Sequence, residues 1–263
     1  MPAFNKADLD ACYINLAHRQ DRREHMEREL ARVGIKAERF DAFKPEQWPF
    51  PDRVKVMQAR TPGAIGCYHS QITVIARALS SGRNILVMED DVLFCDDLDD
   101  RLRYVEEFLP RVDPQWDVFS LGACFHVPAE WHKNDELGRD VESTAVARIK
   151  RVYGSWFTWA YVVRAESAEK VLKALDSNLE QSWGIDHNFI TLADKLRVYC
   201  FVPGMTFQID GQSDIGQGIT KFSDFYKHPT LGPYIFQKRM DQFDAARYDW
   251  TRGGAHAVTR RPR

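Results

Sequence analysis

The chain has 263 residues, a formal net charge of −2 and 28% charged side chains, enough to bury one large core and too balanced for a dedicated nucleic-acid binder. Its five cysteines, Cys12, Cys67, Cys95, Cys124 and Cys200, are odd in number and form no CxxC pair, which favours buried thiols in a reducing compartment. No apolar run approaches the ~18 residues of a membrane span and residues 1–16 lack signal-peptide character, so a soluble cytoplasmic protein is expected, with peripheral contact at the inner face of a membrane left open.

Residues 12–16 (CYINL) read as a first strand, and residues 20–33 as an amphipathic helix carrying Met26, Leu30 and Val33 at helical spacing. His18, Arg19, Arg22 and Arg23 lie at the junction, where guanidinium groups either pair with phosphate or form an ordinary solvated helix face. Gly34 closes the helix, and residues 35–43 read as a second strand with Asp41 at its exit, placed to read a ribose or base or to cap a turn. Pro45, Pro49 and Pro51 make the next stretch a loop. Residues 61–80 then read as a helix with Ile65, Tyr68, Ile72, Ile75 and Leu79 as its apolar stripe; His69 and Ser70 sit near its beginning, where a histidine is more often structural than catalytic.

Residues 85–94 (ILVMEDDVLF) have the pattern of a strand buried on both faces of a mainly parallel sheet, with Glu89, Asp90 and Asp91 near its carboxyl end. Three adjacent carboxylates resist desolvation unless cations compensate them. In an extended chain Glu89 and Asp91 project to one side and can share Mg²⁺ or Mn²⁺, while Asp90 projects to the other and takes backbone or Arg/Lys hydrogen bonds. The alternative is a solvated acidic turn, since Asp96, Asp97, Asp99 and Asp100 follow closely.

Beyond the acids, residues 98–109 read as a helix ended by Pro110, residues 117–123 as a buried strand, and residues 126–145 as a polar loop long enough to be a lid. Strand character resumes over 148–163, where Trp156, Phe157, Trp159 and Tyr161 form either aromatic core or a platform for sugar rings. A helix at 166–175 precedes Asp186, which stands at the start of a helix at about 187–195 as a possible N-cap. Residues 197–202 are a last apolar strand, followed by a Gly-rich loop with Gln208, Asp210, Ser213 and Asp214, and the chain ends in a basic tail at 251–263. Walker A, GxGxxG, HExxH and GxSxG signatures are absent.

In order and spacing these pieces resemble glycosyltransferase family 25, the lipooligosaccharide and collagen galactosyltransferases. The likeness runs over about residues 12–216: YINL with Arg19 and Asp21-Arg22, Ala-Ile-Gly-Cys at 64–67, MEDDVL at 88–93, DVFSLG at 117–122, AYVV at 160–163, Asp186, and Gln208 followed by Ser213-Asp214-Ile215. One departure is Ser70-Gln71, where the family often carries Ser-His; Gln71 hydrogen-bonds but transfers no proton at neutral pH.

The resemblance implies an α/β, GT-A-like Rossmann-type fold with a mainly parallel central sheet flanked by helices. It implies one domain over residues 1–250, about 1–125 for nucleotide-sugar and metal and about 126–250 for the acceptor. It further implies an inverting hexosyltransferase that uses a UDP-sugar and Mn²⁺ or Mg²⁺, with a glycan or glycolipid acceptor. Asn15, Arg19, Arg22, Asp41, Ala42, Ser70 and Asp90 are then expected at the donor, Glu89, Asp91 and Gln208 at the metal, Asp186 as general base, and Trp156, Trp159 and Asp214 at the acceptor. Two other classes compete: a nucleotide-sugar or glycan-binding module that has lost catalysis, hinted at by Gln71, and a carboxylate-rich metal hydrolase, which lacks the further His or Asp clusters of a two-metal site.

Overall fold

The computed structural model describes residues 4–44, 46, 52, 61–123, 141–146, 148–156, 158–181, 184–216, 218–227 and 235–240. Cys124, Phe157, residues 126–140 of the expected lid and the basic tail at 251–263 lie outside the described residues.

In chain order the first half contains β1 (Asp10–Asn15), α1 (Gln20–Val33), β2 (Glu38–Asp41), α2 (Pro62–Ser81), β3 (Ile85–Glu89), β4 (Val92–Phe94), α3 (Leu98–Val112) and β5 (Val118–Ser120). The second half contains β6 (Val141–Ser143), β7 (Ile149–Val152), β8 (Ala160–Val163), α4 (Ala168–Ser177), α5 (Ile185–Thr191), β9 (Val198–Phe201), β10 (Thr206–Gln208), β11 (Gly211–Ser213), β12 (Gly218–Thr220) and α6 (Ser223–Tyr226).

Eight strands form one sheet in the order β2-β1-β3-β8-β5-β9-β7-β6. The expected α/β, GT-A-like architecture is present, but the sheet is mixed rather than mainly parallel. β1 is parallel to β2 and β3, and β5 to β9, whereas β8 is antiparallel to both of its neighbours and β7 to β9 and β6. An all-apolar strand such as Ala160–Val163 signals burial on both faces and carries no information about direction.

Alternation along the strands divides the core in two. Tyr13, Leu86, Met88, Phe119, Val162 and Phe201 pack on one face with Met26 and Leu30 of α1 and Phe108 of α3. Cys12, Ile85, Val87, Val118, Tyr161 and Cys200 pack on the other with Tyr68 and Ile75 of α2, Val171 of α4 and Phe189 of α5. α1 buries its expected stripe of Met26, Leu30 and Val33; α2 buries Ile65, Tyr68 and Ile75 of its expected stripe, but Ile72 is half-buried and Leu79 is exposed. Among the described residues no helix is long and apolar enough to cross a membrane.

The stretch 85–94 is two strands, not one. The chain turns at Asp90 and Asp91, and β4 leaves the main sheet to pair antiparallel with β10, which sets Gln208 opposite Val92. Asp90 and Asp91 therefore sit in a turn directly after Glu89, the last residue of β3.

Candidate active site

Glu89 is held at the end of β3 by its backbone N–H, which donates to the carbonyl of Trp159 at 2.8 Å. Asp91 is fixed by its own carbonyl, which accepts from Ile209 N at 2.9 Å and so carries the chain after β10 past the acids. Gln208 joins the pair: its Nε2 donates to Glu89 Oε2 at 2.9 Å and to Asp91 Oδ1 at 3.1 Å. Asp90 turns away, accepting at Oδ2 from Asn15 Nδ2 (2.8 Å) and at Oδ1 from Arg22 Nη1 (2.8 Å). Glu89 and Asp91 on one side, Asp90 on the other, is the expected division, produced by a turn rather than by strand alternation.

Burial, then the negative charges of Asp91, Asp186 and Asp90, push the Glu89 carboxyl up to about 8. Burial also pushes Asp91 up, to about 6, with Arg22 opposing it. Two crowded carboxylates that both resist ionisation are an incomplete charge balance. Among the described residues no three His, Cys, Asp or Glu side chains converge as a metal cluster, but the third member here is an amide. Gln208 is 6% exposed, and its Oε1 has no hydrogen-bond partner among the described residues. With the Gln208 amide turned so that Oε1 rather than Nε2 meets the two carboxylates, the three side chains would make an all-oxygen donor set, which fits a hard divalent cation.

The first turn of α1 ties this acidic turn to the β11–β12 hairpin. Arg22 Nη1 also lies 3.1 Å from Asp91 Oδ2, and its Nη2 donates to Gln212 O at 2.8 Å. Arg19 donates to Asp214 and, through Nε and Nη2, to both oxygens of Asp21. The hairpin also rests on the start of α2: Thr61 Oγ1 donates to Ile215 O at 2.6 Å, and a Cβ on Gly63 would stand 2.4 Å from Asp214 O, so only glycine permits the approach.

These elements enclose a cavity of about 450 Å³, lined by Arg22, Ala42, Glu89, Asp90, Asp91, Asp186, Gln208 and Asp214 among the expected site residues. Asp186 lies in the first turn of α5, where its Oδ1 accepts from His187 N at 2.8 Å. It is not the N-cap; that position is Gly184, which has no side chain to offer.

Other expected residues act behind the cavity or away from it. Asn15 is buried between Asp90, Arg19 O and Arg39, so it braces the acids. Ser70 is buried in α2, donating to Gly66 O and accepting from Phe43 N at 2.8 Å, and thereby fixes the segment after β2. Asp41 is exposed and pairs with Arg39. Trp159 requires a correction: it is fully buried, its Nε1 donating to Thr206 Oγ1 at 2.9 Å and its ring packed on Phe207, so it presents no face to an acceptor. Trp156, 37% exposed, lies with its ring 6.4 Å from that of His187 and is not among the residues that line the cavity.

The family model described as "Glycosyltransferase family 25 (LPS biosynthesis protein)" matches residues 10–187, more than half of the chain. The chain belongs to glycosyltransferase family 25. Within the family it is similar to a "Glycosyltransferase 25 family member" of Drosophila melanogaster, 31% identical over 109 residues, which is 35% of this chain and 18% of that longer relative. Among solved structures it is similar to a mannose-1-phosphate geranyltransferase from Thermus thermophilus (TM-score 0.40, 14% identity, 74% and 73% of the two chains). Another is a glycosyltransferase involved in the glycosylation of the major capsid of PBCV-1 (TM-score 0.38, 9% identity, 76% and 94%).

The family 25 chain also lines its cavity with Leu16 and Cys67, which belong to the YINL and Ala-Ile-Gly-Cys segments, and with Phe43, Lys44, Thr158 and Phe222, which were not among the expected site residues. Lys44 directly follows the expected Asp41-Ala42 pair and Phe43, which was a usable signal; Thr158 and Phe222 carried none. Burial and the nearby Glu89 charge push the Cys67 thiol well above its ordinary range, so it is no nucleophile.

Proposed function

We propose that the chain is a metal-dependent, inverting glycosyltransferase that moves a hexose, galactose first among the candidates, from a UDP-sugar to a hydroxyl of a cell-envelope glycan such as lipooligosaccharide. The observation that carries this reading is the presence of Asp186 and the Glu89–Asp91–Gln208 set on one cavity. A diphosphate leaving group develops charge that needs neutralising, and in-line attack by an acceptor hydroxyl needs a carboxylate to take its proton.

Glu89, Asp91 and Gln208 would hold Mn²⁺ or Mg²⁺, which when bound supplies Lewis-acid stabilisation of the leaving diphosphate. Asp90 keeps Arg22 beside that position through their 2.8 Å contact, so that the guanidinium meets phosphate oxygens. Ala42, Phe43 and Lys44 line the donor side, with Ser70 setting the backbone at Phe43. Asp186 accepts the proton of the acceptor hydroxyl, and Trp156 gives the acceptor ring an apolar face. The donor half extends beyond residue 125, because Gln208 belongs to the later part of the chain.

Incubation with a panel of UDP-sugars and Mn²⁺, with mass detection of UDP and of glycosylated acceptors, tests this. Slow UDP release from one preferred donor, accelerated by a glycan acceptor, is expected. Tight binding of UDP-sugars without turnover would overturn the transferase reading, and hydrolysis of simple phosphate esters would replace it with a hydrolase.

A further inference from the structure

Glu89 is gripped from two sides by amides, and only one of them belongs to the cation set. Gln208 takes Oε2; on the opposite side Nε2 of Gln71, a fully buried side chain of α2, lies 3.2 Å from Oε1. Behind Gln71 stands Tyr161 of β8, itself 1% exposed, whose hydroxyl donates to Gln71 Oε1 at 2.7 Å. Tyr161 occupies the amide oxygen of Gln71, and the amide therefore presents its Nε2 donor to Glu89. Thr158 Oγ1, 3.4 Å from Nε2, adds a weaker acceptor on the same side.

We propose that Gln71 is a positioning residue for Glu89: backed by Tyr161, it holds the carboxyl group turned toward Asp91 and Gln208, and so sets the affinity of the site for a divalent cation. This rests on the reading of Glu89 as a cation ligand. Outer partners of ligating side chains typically change metal affinity by about 10–100-fold when removed. Two amide donors on one carboxylate also leave its oxygens little freedom to rotate out of the site.

The test is direct titration of the full chain with Mn²⁺ alone, read as free Mn²⁺ by electron paramagnetic resonance, with melting in EDTA measured on the same samples. Gln71→Leu keeps the volume and removes the donor; it is expected to weaken Mn²⁺ binding about tenfold while still melting cooperatively. Tyr161→Phe should weaken binding in the same direction by less. Gln71→His supplies one donor and one acceptor nitrogen in its neutral form and should restore most of the affinity. If Gln71→Leu does not fold, the Tyr161→Phe and Gln71→His results decide the matter. Glu89→Gln separates the two layers of the argument. If Glu89→Gln weakens binding while the Gln71 and Tyr161 variants match the native protein, the positioning role is overturned and the cation reading stands. If Glu89→Gln itself binds Mn²⁺ normally, both are overturned.

Discussion

Arg19 and Asp214 close an ion pair at the rim of the cavity, joining the start of α1 to the β11–β12 hairpin. The remaining face of the guanidinium is held by Asp21 at 3.0 and 2.8 Å. Arg19 is therefore fully engaged before any donor arrives, and a phosphate that used it would have to displace Asp214. Asp214→Asn should speed amide exchange over residues 211–216 and shift global stability by less than about 1 kcal/mol, the scale of partly exposed ion pairs. Hydrogen-exchange mass spectrometry checks this; unchanged exchange over the hairpin would mean that the Thr61 and Arg22 contacts alone hold it.

Removing one carboxylate from a hard-cation site weakens it and leaves the rest unbalanced. Asp91 is 3% exposed and touches both Gln208 and Arg22, so Asp91→Asn should lose Mn²⁺-dependent turnover. Glu89→Gln leaves Asp91 paired with Arg22 and should retain more. Full turnover in excess EDTA would sink the metal assignment.

The raised carboxyls of Glu89 and Asp91 give the metal-free protein a pH signature. A carboxyl that titrates higher folded than unfolded binds protons in the folded state that the unfolded chain has released, so stability falls as pH rises through that window. For Glu89 the window runs from the ordinary 4.5 to about 8, and for Asp91 from 3.8 to about 6. In EDTA the melting temperature of Glu89→Gln should therefore gain on that of the native protein as pH rises from about 5 to 8, and saturating Mn²⁺ should erase the gain. A constant gap across that range would contradict the buried, crowded environment of Glu89.

The two tryptophans separate by burial. Trp159 fills space between Gly122 and Phe207, and a Cβ at Gly122 would stand 2.1 Å from its Nε1; Trp159→Ala should cost about 3–5 kcal/mol in denaturant unfolding. Trp156→Ala should change stability by about 0.5 kcal/mol or less and raise the KM for the acceptor. A large stability loss from Trp156 would assign it to the core instead.

What the sequence made legible follows from periodicity. α1, α2 and the buried strands were readable because Met26, Leu30 and Val33, or Tyr68 and Ile75, recur at the spacing that one packed face requires. The direction of β8 was not, because both of its faces are apolar, and β6 was hidden inside a polar stretch whose pairing with β7 is a long-range choice. The acid block announced a site through its charge density, yet its partners Gln208, Asn15 and Gln71 lie 18 to 119 residues away in sequence or emerge only from sheet register. Aromatic density over 156–161 was visible, but which ring faces solvent depends on a glycine 37 positions from Trp159, at Gly122.

Asp186 offers the sharpest test of the proposed reaction, because an amide in its place keeps the hydrogen bond to the chain but cannot take a proton. Its Oδ1 accepts the N–H of His187 at 2.8 Å in the first turn of α5, a bond that an amide oxygen also accepts. Asp186→Asn should therefore cost no more than the charge–dipole contribution of a first-turn carboxylate, about 0.3–1 kcal/mol. As general base, however, the side chain must take a proton from the acceptor hydroxyl, and losing that function typically slows a reaction about 10²–10⁴-fold. The expected variant is folded, binds UDP-sugar and Mn²⁺ with near-native affinity, and transfers sugar at least about a hundredfold more slowly, with the loss in kcat rather than in KM. Near-native transfer would reject the role. Two other carboxylates of the loop are poor replacements, since Asp210 accepts both the N–H and the hydroxyl of Ser223 at 2.7 Å and Asp214 is held by Arg19. That outcome would move the search for a base to Glu46, which lines the same cavity as Lys44.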